Sequence, residues 1–281
     1  MATTTTATVP VAPVQRGQDV GKRTHYEPGT FCWTDLATTD PEEAKAFYGG
    51  LFGWEAVDTP AGGAGTYTIL FSGGDDVCAL YELEPERREM GILSHWISYV
   101  GVESADAVVE RARELGGGAS GGAFDVMEAG RMAVIQDPAG AVLAAWEPKA
   151  HAGARRVNDV GCMTSNELQS REPEKAATFY AELFGWETEP QEVGGKVAYV
   201  TMQNAGSPNG GIMPMTGAHG DAAPHWLPYF AVASCDAAIE TARELGGKVL
   251  AGPIDVGAGR IAVLMDPQGA AFAVFEGETD D

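Results

Sequence analysis

Basic side chains are scarce in this chain, where 18 lysines and arginines stand against 40 aspartates and glutamates. The resulting formal net charge of −22, with histidine neutral, repels phosphate backbones and anionic membranes. This charge argues against binding to nucleic acid or to a membrane. It suits a cationic ligand in a cleft, although a solvated acidic surface that keeps the protein soluble is the commoner explanation.

Long apolar runs are also missing, since the longest apolar stretches are strand-sized and interrupted by charge or glycine. The start, MATTTTATVPVAPVQRG, has neither the basic region nor the apolar block of a secretory signal. We therefore expect a cytoplasmic protein whose residues 1–25 form a disordered tail. The four cysteines are far apart with no CxxC spacing, as expected for reduced thiols: Cys32, Cys78, Cys162 and Cys235.

What is present is an internal repeat. The peptide AKAFYGGLFGW at residues 44–54 recurs 132 positions later as AATFYAELFGW. His-Trp pairs, two ARELGG segments and two long segments containing Asp-Pro-x-Gly keep nearly the same offset. The chain is therefore a duplication of a domain of about 120 residues. We expect a first domain at 26–148, a linker at 149–159 and a second domain at 160–277.

Each domain contains a smaller repeat. A short strand ends at Thr38, Asp40 and Pro41 supply the start of a helix, and Gly53 ends that helix before further strands. The same order begins again at His95. This predicts an α+β fold with two βαβββ modules per domain, joined into a half-barrel sheet with helices outside. The sequence leaves open whether modules pair as 1 with 2 and 3 with 4, or as 1 with 4 and 2 with 3.

The four modules resemble the vicinal oxygen chelate superfamily, which includes glyoxalase I, extradiol dioxygenases and bleomycin-resistance proteins. The resemblance covers most of residues 29–277 and is carried by Asp40 followed by Phe47-Tyr48 and Phe52-Gly53, by the ELGG helix ends and by the DPxG turns. PGTFCWTDL and the double domain resemble an actinobacterial two-domain subgroup. The resemblance implies tandem domains of this fold, with ligand cavities in the half-barrels.

Metal-dependent members of that superfamily hold ligands seven residues before the helix-capping Asp and seven after the Asp of DPxG. Trp33 and Ala144 stand at these positions in the first domain. In the second domain Glu172 replaces the capping Asp, and the two positions hold Ser165 and Ala273. Indole, methyl and hydroxyl groups are poor ligands for a divalent ion. We therefore expect no metal and no cofactor. A further ligand position is expected at residues 96–97 and 226–227, where His95 and His225 are adjacent and are interpreted as structural or rim residues.

Asp35 and Glu167 lie two residues beyond Trp33 and Ser165, so each shares a strand face with them. They are the candidate catalytic acids or bases, and the alternative is that they are solvent-facing acids at strand ends. The candidate ligand-binding residues are mostly aromatic side chains and thioethers, which suit a flat hydrophobic ligand, although they would also fill a core. They are Trp33, Tyr81, Trp96, Tyr99 and Trp146 in the first domain and Ser165, Met213, Met215, Trp226, Tyr229 and Phe275 in the second.

The leading hypothesis is metal-independent binding of a hydrophobic, aromatic small molecule by a monomer or homodimer. The alternative is a metal-independent enzyme of secondary metabolism, in which Asp35 or Glu167 catalyses a lyase, cyclase or hydroxylation-related step on a polyketide-like substrate. A third hypothesis, a metal-dependent glyoxalase or dioxygenase, requires ligands that the sequence does not place.

Overall fold

A computed structural model describes residues 21–60 and 65–279. The strands that it describes in the first half of the chain are β1 (Phe31–Thr38), β2 (Glu55–Pro60), β3 (Thr66–Ser72), β4 (Asp75–Glu82), β5 (His95–Gly101), β6 (Gly118–Ala119), β7 (Phe124–Val126), β8 (Gly130–Gln136) and β9 (Val142–Pro148). Those in the second half are β10 (Met163–Ser170), β11 (Glu187–Val193), β12 (Lys196–Asn204), β13 (Ser207–Pro214), β14 (His225–Ala231), β15 (Lys248–Asp255), β16 (Gly259–Met265) and β17 (Ala271–Gly277). The helices are α1 (Pro41–Phe52), α2 (Pro85–Glu89), α3 (Ala105–Glu114), α4 (Pro173–Phe184) and α5 (Cys235–Glu244).

These strands form two separate mixed sheets, one in each half of the chain. The first has the order β2-β3-β4-β1-β5-β9-β8-β6, with β7 also paired to β8, and the second has the order β11-β12-β13-β10-β14-β17-β16-β15. Antiparallel pairing of β1 with β5, and of β10 with β14, joins two modules within each half. Sheet modules therefore pair as 1 with 2 and 3 with 4. The predicted α+β fold of two-module domains is confirmed, and neither sheet closes into a barrel among the described strands.

Helix α1 forms where its capping residues predict it. The Asp40 carboxylate accepts a hydrogen bond from the Glu43 amide at 3.0 Å, and proline follows Asp40 at the first helical position. Gly53 ends the helix with φ 72°, a left-handed conformation that glycine adopts without strain. Ala44, Phe47 and Tyr48 are buried along one face, as the helical spacing of these residues predicts.

The repeated FYxxLFGW peptides connect the two halves. The Tyr48 hydroxyl donates to Asp266 in the second half at 3.1 Å, and the Tyr180 hydroxyl donates to Asp137 in the first half at 3.3 Å. The indole nitrogens of Trp54 and Trp186 likewise donate to backbone carbonyls of the opposite half, each at 2.7 Å. Side chains of both halves therefore form one continuous core, which includes the helix-covered faces of both sheets and, in the first half, Trp33, Tyr99 and Trp146 of the opposite face.

The segment 149–159 is fixed to β4 by charge. Arg156 forms an ion pair with Asp75 at 2.7 Å, and His151 Nε2 lies 3.2 Å from Asp76. Lys22 pairs with Arg156 in an isolated antiparallel bridge, so the last residues of the expected tail lie against this segment. Residues 1–20 of that expected tail lie outside the described part of the chain.

The four cysteines are all buried and free. Within the described ranges, no helix is both long and apolar enough to cross a membrane.

Candidate functional site

Strand alternation places one row of side chains on the face of each sheet that its helices do not cover, which we call the concave face. In the first half Trp33 pairs with Tyr99, and Tyr99 pairs with Ala144 on the next strand. In the second half Ser165, Tyr229 and Ala273 form the equivalent row. The positions identified from the sequence spacing therefore do meet on three adjacent central strands. The residue that β5 or β14 adds to each row is a tyrosine.

Asp35 lies at the centre of the first concave face and is 3% exposed. Its carboxylate accepts hydrogen bonds from the Trp33 indole nitrogen, the Tyr67 hydroxyl and the Tyr99 hydroxyl, each at 2.7 Å. Burial raises the pKa of Asp35, and these three donors oppose the rise because they stabilise the charged form. The result is a buried acid whose described partners are an indole and two phenols.

Trp33 packs against the segment that joins the two halves. Its ring meets the His151 ring edge-on, with the ring centroids 4.7 Å apart, and it is only 4% exposed. The Trp146 indole nitrogen donates to the His151 carbonyl at 2.9 Å, so Trp146 and His151 are fixed together beside Trp33. His151 is not among the site residues identified from the sequence, because residues 149–159 are assigned there to a linker.

Glu167 occupies the equivalent position in the second half and is 7% exposed. Its carboxylate accepts hydrogen bonds from the Tyr229 hydroxyl at 2.9 Å and the Gln169 amide at 2.6 Å. Burial raises the pKa of Glu167, and the polar hydrogens of Tyr229, Tyr199 and Gln169 oppose this rise. The Tyr199 hydroxyl also lies close against Gly211, where a β carbon would come within 2.0 Å of it.

Two of the predicted ligand-binding residues face the other way. Trp96 pairs with Leu36, and its indole nitrogen donates to the Tyr48 hydroxyl at 3.1 Å in the helix-covered core. Trp226 makes the equivalent bond to Tyr180. The expectation that these two tryptophans face the cavities is therefore wrong, because they have the opposite strand parity to Asp35 and Glu167.

The other candidates lie on or beside the concave faces. Tyr81 pairs with Ala37 and is half-buried, and Met213 pairs with Gln169 and is half-buried. Met215 follows the end of β13, where its amide donates to the Ser170 carbonyl at 2.7 Å. His95 and His225 begin β5 and β14, and a ring nitrogen of each hydrogen bonds to a carbonyl two residues earlier.

Tyr67, Tyr199 and Gln169 contact the two acids but are absent from the candidates chosen from sequence. Tyr67 and Tyr199 are 132 positions apart, which is the offset of the repeated helix peptide. That offset is the signal that identifies them, because two tyrosines at matched positions contact matched acids. Gln169 follows Glu167 by two residues, so strand alternation also predicts its contact with the acid.

A divalent metal does not suit these rows of residues. The row in the first half offers an indole, a phenol and a methyl group, and the row in the second half a hydroxyl, a phenol and a methyl group. Each face adds one carboxylate, which already accepts hydrogen bonds from protein donors. Across residues 21–60 and 65–279, no three His, Cys, Asp or Glu side chains form a group that could hold a metal ion.

The two halves of the chain repeat the same arrangement, a concave sheet face with one buried acid, Asp35 or Glu167. Residues 30–144 match the family model of the glyoxalase/bleomycin resistance protein/dioxygenase superfamily, and residues 166–275 match the model of a glyoxalase-like domain. The chain belongs to this superfamily, which confirms the resemblance seen in the sequence.

Relatives over nearly the whole chain include two named proteins of actinobacteria. The chain is 39% identical to "Putative glyoxylase CFP32" of Mycobacterium tuberculosis over 91% of this chain and 97% of that protein. It is 35% identical to "Anthracycline biosynthesis protein DnrV" of Streptomyces peucetius over 90% of this chain and 95% of that protein.

Solved structures share the fold at low sequence identity. A Mn(II)-bound glyoxalase from Novosphingobium aromaticivorans superposes with a TM-score of 0.63 at 14% identity, covering 89% of this chain and 83% of that one. A variant of 4-hydroxymandelate synthase from Streptomyces coelicolor superposes with a TM-score of 0.60 at 13% identity, covering 90% and 94%. At such identities, the likeness describes the fold alone.

Proposed function

We propose that this protein binds a hydrophobic, aromatic small molecule on a concave sheet face without using a metal ion. The observation that carries the proposal is the mixture of groups there: aromatic and aliphatic side chains surround one buried acid, and among the described residues no set of metal ligands accompanies it. Leu227, Tyr229 and Ala273 form an apolar cluster separate from the shared core, with half-buried Val263 and Phe275 packed against it. Apolar surface of this kind suits a flat ligand.

The names of two relatives support an aromatic polyketide as the ligand. DnrV and its Streptomyces relative DauV are both named anthracycline biosynthesis proteins, and this chain is 35% and 34% identical to them. Phenol and indole groups beside a buried acid suit a ring system with oxygen substituents, because such a ligand offers both a stacking surface and hydrogen-bonding groups.

The test is a titration of the purified protein with 1,4-dihydroxyanthraquinone, followed by tryptophan fluorescence and by calorimetry. We expect saturable binding with the same affinity before and after treatment with EDTA. Metal analysis accompanies the titration. A divalent metal at stoichiometric occupancy, or affinity that disappears with EDTA and returns with added metal, would contradict metal-independent binding.

A second candidate function is a metal-independent enzyme acting on the same class of compound. The specific observation is that burial raises the pKa of both Asp35 and Glu167, so each carboxyl holds its proton to higher pH than an exposed one. Such a group serves as a proton donor or acceptor for a cyclisation, lyase or hydroxylation-related step. Mass spectrometry of polyketide-like compounds incubated with the protein tests this. Turnover that is lost in Glu167→Gln while binding remains would assign the protein to the enzymes.

A further inference from the structure

We infer that the second concave face alone takes the ligand, and that the Trp33 side chain fills the corresponding space in the first. This inference rests on the proposed function. It starts from one difference between the duplicated halves: the residue two positions before the acid is tryptophan in the first and serine in the second. The backbones around both residues match, since each pairs with a tyrosine on the neighbouring central strand.

The first face is closed by its own side chains. The Trp33 indole nitrogen is within hydrogen-bond distance of both Asp35 and the Tyr67 hydroxyl, at 2.7 Å and 3.1 Å. The His151 ring packs perpendicular to the Trp33 ring, and His151 Nε2 lies 3.2 Å from an Asp76 carboxylate oxygen. Both acceptor oxygens of Asp35 are therefore engaged by protein donors, and the aromatic ring above them belongs to the protein.

The second face has no indole at this position, and its buried acid Glu167 accepts hydrogen bonds from Tyr229 and Gln169. Ser165 is half-buried, and among the hydrogen bonds of the described residues none involves its hydroxyl. Phe275 stands at the position of Trp146 but is half-buried rather than buried, and it packs against the cluster of Leu227, Tyr229 and Ala273. A serine side chain is smaller than an indole by a whole ring system, and we infer that the ligand's ring takes that place beside half-buried Phe275.

The layout of the second face also indicates the class of ligand. Ser165, Glu167 and Gln169 follow one another along β10, so their side chains form a polar row with about 7 Å between neighbours. The apolar cluster of Leu227, Tyr229 and Ala273, with Val263 packed against it, lies on the strands to one side of that row. The ligand that matches is a planar polycyclic aromatic with hydroxyl or keto groups along one edge, where a carboxyl, an amide and a hydroxyl meet them.

The test introduces a bulky side chain on the second face and removes the bulky side chain from the first. The probe is 1,4-dihydroxyanthraquinone, and calorimetry gives both affinity and stoichiometry without relying on tryptophan signals. We expect one probe molecule per wild-type chain. Ser165→Trp copies the first face into the second and should weaken binding at least tenfold, whereas the conservative Ser165→Thr should retain it. Trp33→Ser opens the first face and should bind no less than one probe molecule per chain.

Several outcomes would overturn the inference. They are two probe molecules bound per wild-type chain, unchanged affinity in Ser165→Trp, or loss of binding in a folded Trp33→Ser variant. Circular dichroism and thermal unfolding check the fold, and Ser165→Phe, with a smaller ring, replaces Ser165→Trp if the latter does not fold. The absence of saturable binding to the wild type would instead defeat the proposed function, so the two failures are distinguishable.

Discussion

At the scale of single residues, the notable feature is a buried carboxyl in each half whose described partners are neutral donors. Asp35 and Glu167 are nearly inaccessible, and the groups that hydrogen bond to them are phenols, an indole and an amide. Neutral donors stabilise a carboxylate less than an arginine or lysine would, so burial dominates and the pKa of each acid rises. An acid of this kind can hydrogen bond to a ligand oxygen either as donor or as acceptor.

The raised pKa of Glu167 predicts a specific pH dependence of stability. A carboxyl whose pKa is higher in the folded protein than in the unfolded chain binds its proton more tightly when folded, so it reduces stability as the pH rises above its ordinary value of 4.5. A glutamine side chain cannot ionise, and we therefore expect Glu167→Gln to gain stability relative to wild type as the pH rises from 4.5 to 8. Urea unfolding at several pH values measures this difference.

The control for the loss of one charge is the same substitution at exposed Glu110. A wild-type protein that instead gains stability over Glu167→Gln with rising pH would mean that the carboxyl is held in its charged form.

We predict that the second concave face requires glycine at position 211. A β carbon at Gly211 would come within 2.0 Å of the Tyr199 hydroxyl and 2.3 Å of its ring. We expect Gly211→Ala to lower the free energy of unfolding by about 1–3 kcal/mol, as overpacking does, and to displace Tyr199 from Glu167. Ala79 pairs with Asp35 as Gly211 pairs with Glu167, so Ala79→Gly is the matched control. Chemical denaturation of both variants measures the costs, and equal small costs would contradict a special role for Gly211.

At the scale of secondary structure, the sequence predicts what is set locally. Asp40, Pro41 and Gly53 predict α1 to within a residue, because capping depends on neighbours in the chain. Strand alternation also correctly groups Trp33 with Asp35. Trp96 is the opposite case: its face depends on the register between β5 and β1, and a shift of one residue reverses the face of every side chain.

The contacts between the halves cannot be predicted from local sequence as helix α1 can. Tyr48 reaches Asp266 across 218 positions of sequence, and nothing in the spacing of either motif specifies the partner. The apolar spacing of each helix peptide predicts only that the helix covers a sheet. The packing of one half against the other decides which residues the two helices meet.

The hydrogen bonds of Tyr48 give a testable prediction for α1. Tyr48→Phe removes the acceptor of the Trp96 indole nitrogen and the donor to Asp266, and all three side chains are buried. An unsatisfied buried donor costs about 1–3 kcal/mol, so we expect a loss of this size in the free energy of unfolding. The matched variant Tyr180→Phe should lose a similar amount, because it makes the equivalent bonds to Trp226 and Asp137. Urea denaturation measures both, and a neutral Tyr48→Phe would show that water replaces the hydroxyl.

At the scale of the whole molecule, the duplicated halves pack against each other as one body. The core cluster is continuous from Trp33 and Phe47 in the first half to Phe230 and Phe272 in the second.

The shared interior predicts that the halves unfold together. Phe47 lies on α1 in the first half, is 2% exposed, and its ring meets the Phe272 ring of the second half edge-on, with centroids 6.2 Å apart. We expect Phe47→Ala to cost about 3–5 kcal/mol, the range for truncating a buried phenylalanine, and to lower the unfolding midpoint of both halves equally. Hydrogen exchange of amides in β1 and in β10 reports on each sheet separately. The matched variant Phe179→Ala should act in the same way from the other half, since its ring lies against Gly117 in the first. Faster exchange confined to β1 in Phe47→Ala would mean that the halves are independent folding units, because a shared core transmits the loss of one side chain to both sheets.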